Sequence, residues 1–168
     1  MARRKIEGIR MHHRFISILL AAALFIPAAV NAETPAPAAY DAALAQELGA
    51  DDYGMRPFVF VMLRTGPADA DITDKDQRSE MFRGHFANMG RLAEDGKLVL
   101  AGPLSNGTNE RGLFILNVAS IEEAQELLED DPTIAAGIFT AEYLNYYGSA
   151  ALMKLNEIHS KIQKTSIE

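Results

Sequence analysis

The order in which hydrophobic periodicity changes along this chain most constrains what it can fold into. Phe58–Leu63 is a continuous apolar run bounded by Pro57 and by Thr65-Gly66-Pro67. Its length and its Phe, Val and Leu content predict a central strand. An acidic loop follows, Asp69 to Asp76, in which Thr73 or Asp74 can cap a helix. That helix runs to about Asp95, with Met81, Phe82, His85, Phe86, Met89, Leu92 and Ala93 on one face, and Gly96 ends it. Lys97–Leu104 reads as a second strand, and Asn106-Gly107 is a hairpin signal within a longer loop. Gly112–Val118 is a third strand. Ser120 and Glu123 form a capping box opening a helix that carries Ile121, Ala124, Leu127 and Leu128 and stops before Pro132. Gly137–Tyr147 is a fourth strand, which Gly148 breaks. Ser149–Gln163 is a last amphipathic helix with Leu152, Leu155, Ile158 and Ile162 in line.

This order, β-α-β-β-α-β plus a C-terminal helix, predicts an α+β chain of the ferredoxin-like kind. Its four-stranded antiparallel sheet carries two helices on one face. Strand one is apolar on both faces, so the other sheet face also needs a cover, and a second subunit packed sheet against sheet supplies one. The expected division of the chain follows from the same reading: the domain spans 53–148 and a helical extension spans 149–168.

The chain has 168 residues, enough for one domain with a core. Residues 1–32 read as a secretory signal peptide, with Arg3, Arg4, Lys5, Arg10 and Arg14 before the apolar run Phe15–Val30 and small residues at the cleavage site. The expected location is therefore outside the cytoplasm, periplasmic or extracellular, with no stable membrane insertion after cleavage. Residues 33–52 read as a Pro/Ala-rich linker with a short helix over Tyr40–Leu48. The leader holds five of the 16 basic residues and one of the 23 acidic ones, leaving a net charge of −11. That charge argues against nucleic acid as a partner. There is no cysteine, hence no disulfide, thiolate metal site or cysteine nucleophile. No phosphate-binding glycine loop, HExxH or nucleophile elbow is present, and no cofactor is expected. Asp69, Asp71, Thr73 and Glu80 occupy positions of an EF-hand count, but Asp74 stands where that loop needs glycine, so no metal is expected either.

Several segments together resemble the YCII-related domain (YciI-like) family: His85-Phe-Ala-Asn88-Met89-Gly-Arg91-Leu92, Gly96–Pro103, Arg111–Ile115, and Asp131-Pro132 with Gly137 beyond. The resemblance covers about Tyr53 to Met153. The Tyr53-Gly54-Met55 opening and the Tyr147–Leu152 close resemble an exported, extended subgroup. The resemblance implies a dimeric α/β-barrel of ferredoxin-like subunits and a His–Asp pair in a cleft, mapping to His85 and Asp131. One branch is similar to a chlorohydroxyhydroquinone dehydrochlorinase, which eliminates chloride from an aromatic ring.

On the residues themselves, His85 occupies an apolar stripe where leucine would serve packing. Paired with a carboxylate, its imidazole is an oriented general acid–base; the alternative is a core histidine bonded to Asp131 to hold two helices together. Arg64 and Arg111 can each grip an anionic substrate, or be ordinary surface cations. Tyr143, Tyr146 and Tyr147 can line an aromatic pocket, or pack a dimer interface. Asn106-Gly107-Thr108 is a glycosylation pattern that a plain turn explains equally. Two functions follow as expectations. One is a cofactor-free lyase or isomerase acting on a small, in one branch aromatic, compound through His85 and Asp131, with Arg64, Arg111 and Tyr143 binding substrate. The other is a non-catalytic small-molecule-binding or dimerising module.

Overall fold

The computed structural model describes residues 39–105 and 107–165. The segment read as a signal peptide, most of the Pro/Ala stretch and Asn106 of the glycosylation pattern lie outside the described residues. The elements are α1 (Ala42–Glu47), β1 (Met55–Thr65), α2 (Lys75–Glu94), β2 (Leu98–Pro103), β3 (Glu110–Leu116), α3 (Ile121–Leu128), α4 (Pro132–Ala135), β4 (Phe139–Ser149), a 3-10 turn (Ala150–Lys154) and α5 (Leu155–Ile162). The four strands form one antiparallel sheet in the order β2-β3-β1-β4. This is the ferredoxin-like arrangement.

Strand alternation divides the core. Val59, Val61 and Leu63 of β1 join Phe114, Leu116, Leu92 and Leu128 under the helices. Phe58 points the other way, into a smaller cluster with Val99 and Ile115. Pro57 is tolerated in central β1 because β3 pairs only from Val59 onward, so no β3 ladder bond is lost there. Asp74 caps α2 through Gln77 N–H at 2.8 Å, and Ser120 caps α3 through Glu123 N–H at 3.2 Å.

Some local expectations need correction. The chain does not break at Gly148: β4 continues to Ser149, with Gly148 opposite Arg56. A Cβ there would lie 2.4 Å from the Tyr146 ring, so glycine serves a close ring-over-backbone approach within the strand. The segment after β4 is a 3-10 turn followed by a shorter helix. Its Leu152 and Met153 pack onto Phe58, Val99 and Ile115, so this chain partly covers its own second sheet face. Leu144 and Tyr146 stay exposed on that face, at 48% and 37%. The compact unit begins at Ala39 and so includes α1, which is tied down by Arg56 Nη1–H donating to Leu48 O at 2.8 Å. Among the described residues no helix is long and apolar enough to cross a membrane.

Candidate active site

His85 lies two turns before Leu92 on α2, and both are buried. One residue earlier, Gly84 sits in mid-helix, where glycine costs about 1 kcal/mol relative to alanine. Its reason is contact: a Cβ on Gly84 would lie 2.7 Å from Pro132 Cγ. The missing side chain lets α4 approach α2 closely, which brings Asp131 under the imidazole. Asp131 is the N-cap of α4, with Pro132 in the first turn, where its absent N–H leaves no bond unmade.

The resulting cluster is sealed. Asp131 and Thr133 are fully buried and His85 is 5% exposed. Asp131 Oδ2 lies 2.7 Å from His85 Nδ1. Asp131 Oδ1 accepts from the Thr133 hydroxyl at 2.6 Å and from Thr133 N–H at 3.0 Å. Thr133 Oγ1 also lies 3.2 Å from His85 Nδ1. Burial pushes the Asp131 carboxyl up, but the bonds from His85 and Thr133 and the His85 charge outweigh it and hold the group below its usual range. An ionised Asp131 fixes the proton on Nδ1, so the neutral ring presents a lone pair at Nε2.

Nε2 has no hydrogen-bond partner among the described residues, yet it is not among the sealed unpaired polar atoms. The ring edges a half-open cavity of about 580 Å³. Phe86, Phe139, Phe114 and Phe82 surround the imidazole with ring centroids at 5.5, 5.8, 5.9 and 6.2 Å. Met89 and Leu63 extend this apolar wall, and Arg78, Asp69 and Arg111 supply the charged lining. A basic nitrogen at the wall of an apolar, aromatic cavity can take a proton from a small bound molecule and return it.

Residues 58–144, which contain both His85 and Asp131, match the YCII-related domain. The chain belongs to that family. It is 34% identical over 58 residues to the uncharacterized protein YjpA of Bacillus subtilis (strain 168), a match covering 34% of this chain and 66% of that relative. Among solved structures it is similar to the 5-chloro-2-hydroxyhydroquinone dehydrochlorinase of Burkholderia phenoliruptrix AC1100 in complex with 2,5-dihydroxybenzoquinone. That match has 22% identity, covers 52% of this chain and 90% of the other, and has a TM-score of 0.36.

The other residues singled out from the sequence separate. Arg111 lines the cavity. Arg64 does not: it sits on the opposite sheet face, bound to Glu110 at 2.6 Å and Glu142 at 2.9 Å. Those two carboxylates occupy the guanidinium that an anionic substrate would need, so Arg64 is corrected to a surface cation. Tyr143 lies outside the cavity lining but near enough to Asp131 that burial, then that negative charge, raises its phenol pKa. The three tyrosines form no pocket among the described residues: alternation along β4 turns Tyr146 away from Tyr143 and Tyr147, and Tyr147 lies four residues beyond Tyr143, near the end of the strand. Tyr143 joins the core under the helices, Tyr146 stacks near Phe58 on the far side, and the Tyr147 hydroxyl bonds Asp51. In the acidic loop Asp74 serves as a cap and Asp69 binds Arg78 at 2.5 Å. Among the described residues no three His, Asp or Glu side chains converge as for a metal ion. The sequence reading missed Thr133 and Arg78. Thr133 was signalled by Asp-Pro-Thr, a cap with a hydroxyl two residues on; Arg78 only by lying two helical turns before His85 on the same face of α2.

Proposed function

We propose that this protein is a cofactor-free enzyme of the lyase or isomerase type, acting on a small, largely apolar compound through His85 as general acid–base. The observation that supports it is the polarity of the dyad: Nδ1 is committed to buried Asp131, while Nε2 has no partner among the described residues and the ring lines a cavity large enough for a ligand. In this reading Nε2 accepts a proton from an acidic O–H or C–H of the substrate. The electron pair left behind forms a new double bond as a leaving group departs or as the bond migrates. The imidazolium, stabilised by Asp131, then gives the proton back to the leaving group or to another carbon.

The test is incubation of the protein with hydroxyaromatic and halogenated hydroxyaromatic compounds, followed by ultraviolet absorbance and by deuterium uptake from solvent. His85→Asn and Asp131→Asn are expected to lower turnover by about 10²–10⁴-fold while remaining folded. Equal turnover in both folded variants would overturn the proposal.

A second reading rests on one specific observation. Asp131 also caps α4, so the pair joins α2 to α4 whether or not it does chemistry. A non-catalytic binding module would show ligand-induced thermal stabilisation without turnover. The same proposal includes a homodimer through the uncovered part of the second sheet face, supported by exposed Leu144 and Tyr146, and testable by light scattering. It also includes export directed by residues 1–32, testable by cell fractionation.

A further inference from the structure

β3 contains a one-residue irregularity at the cavity mouth. Leu63 of β1 pairs with Gly112, but the next residue, Arg64, pairs with Glu110, so Arg111 is the extra residue of a β-bulge. Regular alternation from Phe114 and Gly112, which both line the cavity, would place Glu110 in the cavity and Arg111 on the far face. The bulge exchanges them. Glu110 reaches Arg64 on the far face, and Arg111 turns into the cavity that holds His85. Bulges that re-aim a side chain beside a site are a recurrent device.

The exchange changes the charge of the cavity. Arg78 is already neutralised by Asp69, and it also donates to the Asp69 and Ile72 carbonyls at 3.1 and 3.4 Å. Asp131 is committed to His85 and Thr133. Arg111 is different. Its Nε–H is held by Thr65 Oγ1 at 2.7 Å, and among the described residues no carboxylate lies within ion-pair distance of it. The Thr65 bond orients the guanidinium and leaves its terminal N–H groups for a ligand.

Resting on the general acid–base reading of His85, we infer that Arg111 selects the substrate class: small, planar, apolar compounds carrying one carboxylate. The carboxylate sits on Arg111 at the mouth, and the ring lies among the phenylalanines beside Nε2. A guanidinium offers a carboxylate two parallel N–H bonds, which a neutral amide cannot match.

The experiment is calorimetric titration of the full chain at low salt with benzoate, phenylacetate and 4-hydroxybenzoate, each against its amide. At least one acid is expected to bind about tenfold tighter than its amide, as a partly desolvated charge-assisted contact gives. Arg111→Gln should erase that preference and leave amide binding unchanged, while Arg111→Lys should keep part of it. A melting curve for each variant checks folding; Arg111 is exposed, so both variants are expected to fold. His85→Asn should keep the preference, which separates this inference from the acid–base proposal: loss of turnover with preference intact concerns His85 alone. Equal binding of acids and amides, survival of the preference in Arg111→Gln, or no binding by any member of the set would overturn the inference.

Discussion

Replacing Asp131 with alanine removes an acceptor that three buried donors share. The His85 Nδ1–H, the Thr133 hydroxyl and the Thr133 amide all end on this carboxylate, in a site with no solvent at Asp131 or Thr133. Each orphaned buried donor costs about 1–3 kcal/mol. Part of that is recovered, because Thr133 and His85 can bond each other across 3.2 Å. A net loss of about 3–5 kcal/mol is expected from the three orphaned donors after that recovery. With a urea dependence of about 1.5–2 kcal/mol per molar, the unfolding midpoint should fall by about 2 M. Asp131→Asn is the informative partner. Its single oxygen can still serve Thr133, but its NH₂ must then face Nδ1, which forces the proton to Nε2. Stability should fall by only about 1–2 kcal/mol, as for one impaired hydrogen bond, while a base at Nε2 becomes a donor. The sign with pH follows from the lowered Asp131 pKa. The wild-type advantage over Asp131→Asn is present above the unfolded carboxyl value, about 3.9, and is lost as pH falls through the lower folded value. Urea unfolding followed by circular dichroism at neutral and at acidic pH measures all of this. An alanine variant within 1 kcal/mol of wild type, about the worth of a single ordinary hydrogen bond, would refute the three-donor account.

Other substitutions carry their own expectations. Gly84→Ala, which in an ordinary helix stabilises by about 1 kcal/mol, should here destabilise by about 1–3 kcal/mol, because the new methyl meets Pro132; a raised melting temperature would contradict that. Arg64→Gln should change stability by no more than about 1 kcal/mol and leave ligand binding in the His85 cavity unaltered, as titration would report. Leu152→Ala should cost about 2–3 kcal/mol and increase binding of a hydrophobic dye, since it thins the cover over Phe58, Val99 and Ile115; unchanged dye binding would show that the cover lies elsewhere.

The fold was largely legible because each element carries its own period. Phe58–Leu63 reads as a two-sided strand and Lys75–Glu94 as a long amphipathic helix without any tertiary knowledge. What escaped depends on contacts between elements. A helix as short as Pro132–Ala135 leaves no periodic trace, only a cap and a proline. The apolar residues after Gly148 reveal that the last segment packs, but not that it folds back under its own sheet. The bulge that turns Arg111 inward is a register event between two strands, and neither strand announces it alone. At the site, His85 was conspicuous for being polar on an apolar stripe. Its distance to Asp131, 46 residues away, is set by a glycine–proline contact that spacing does not encode. The tyrosines show the opposite case, for odd and even numbering alone separates Tyr143 from Tyr146.

Asp131 answers to two masters, the end of α4 and the ring of His85. Mutational drift in a lineage that no longer needed the reaction would therefore still be resisted at this position by folding alone. A descendant with retired chemistry would go on carrying both members of the dyad, so inheritance of the pair by itself is a poor witness to activity. Erosion would begin where folding is indifferent, at exposed Arg111 and along the cavity mouth.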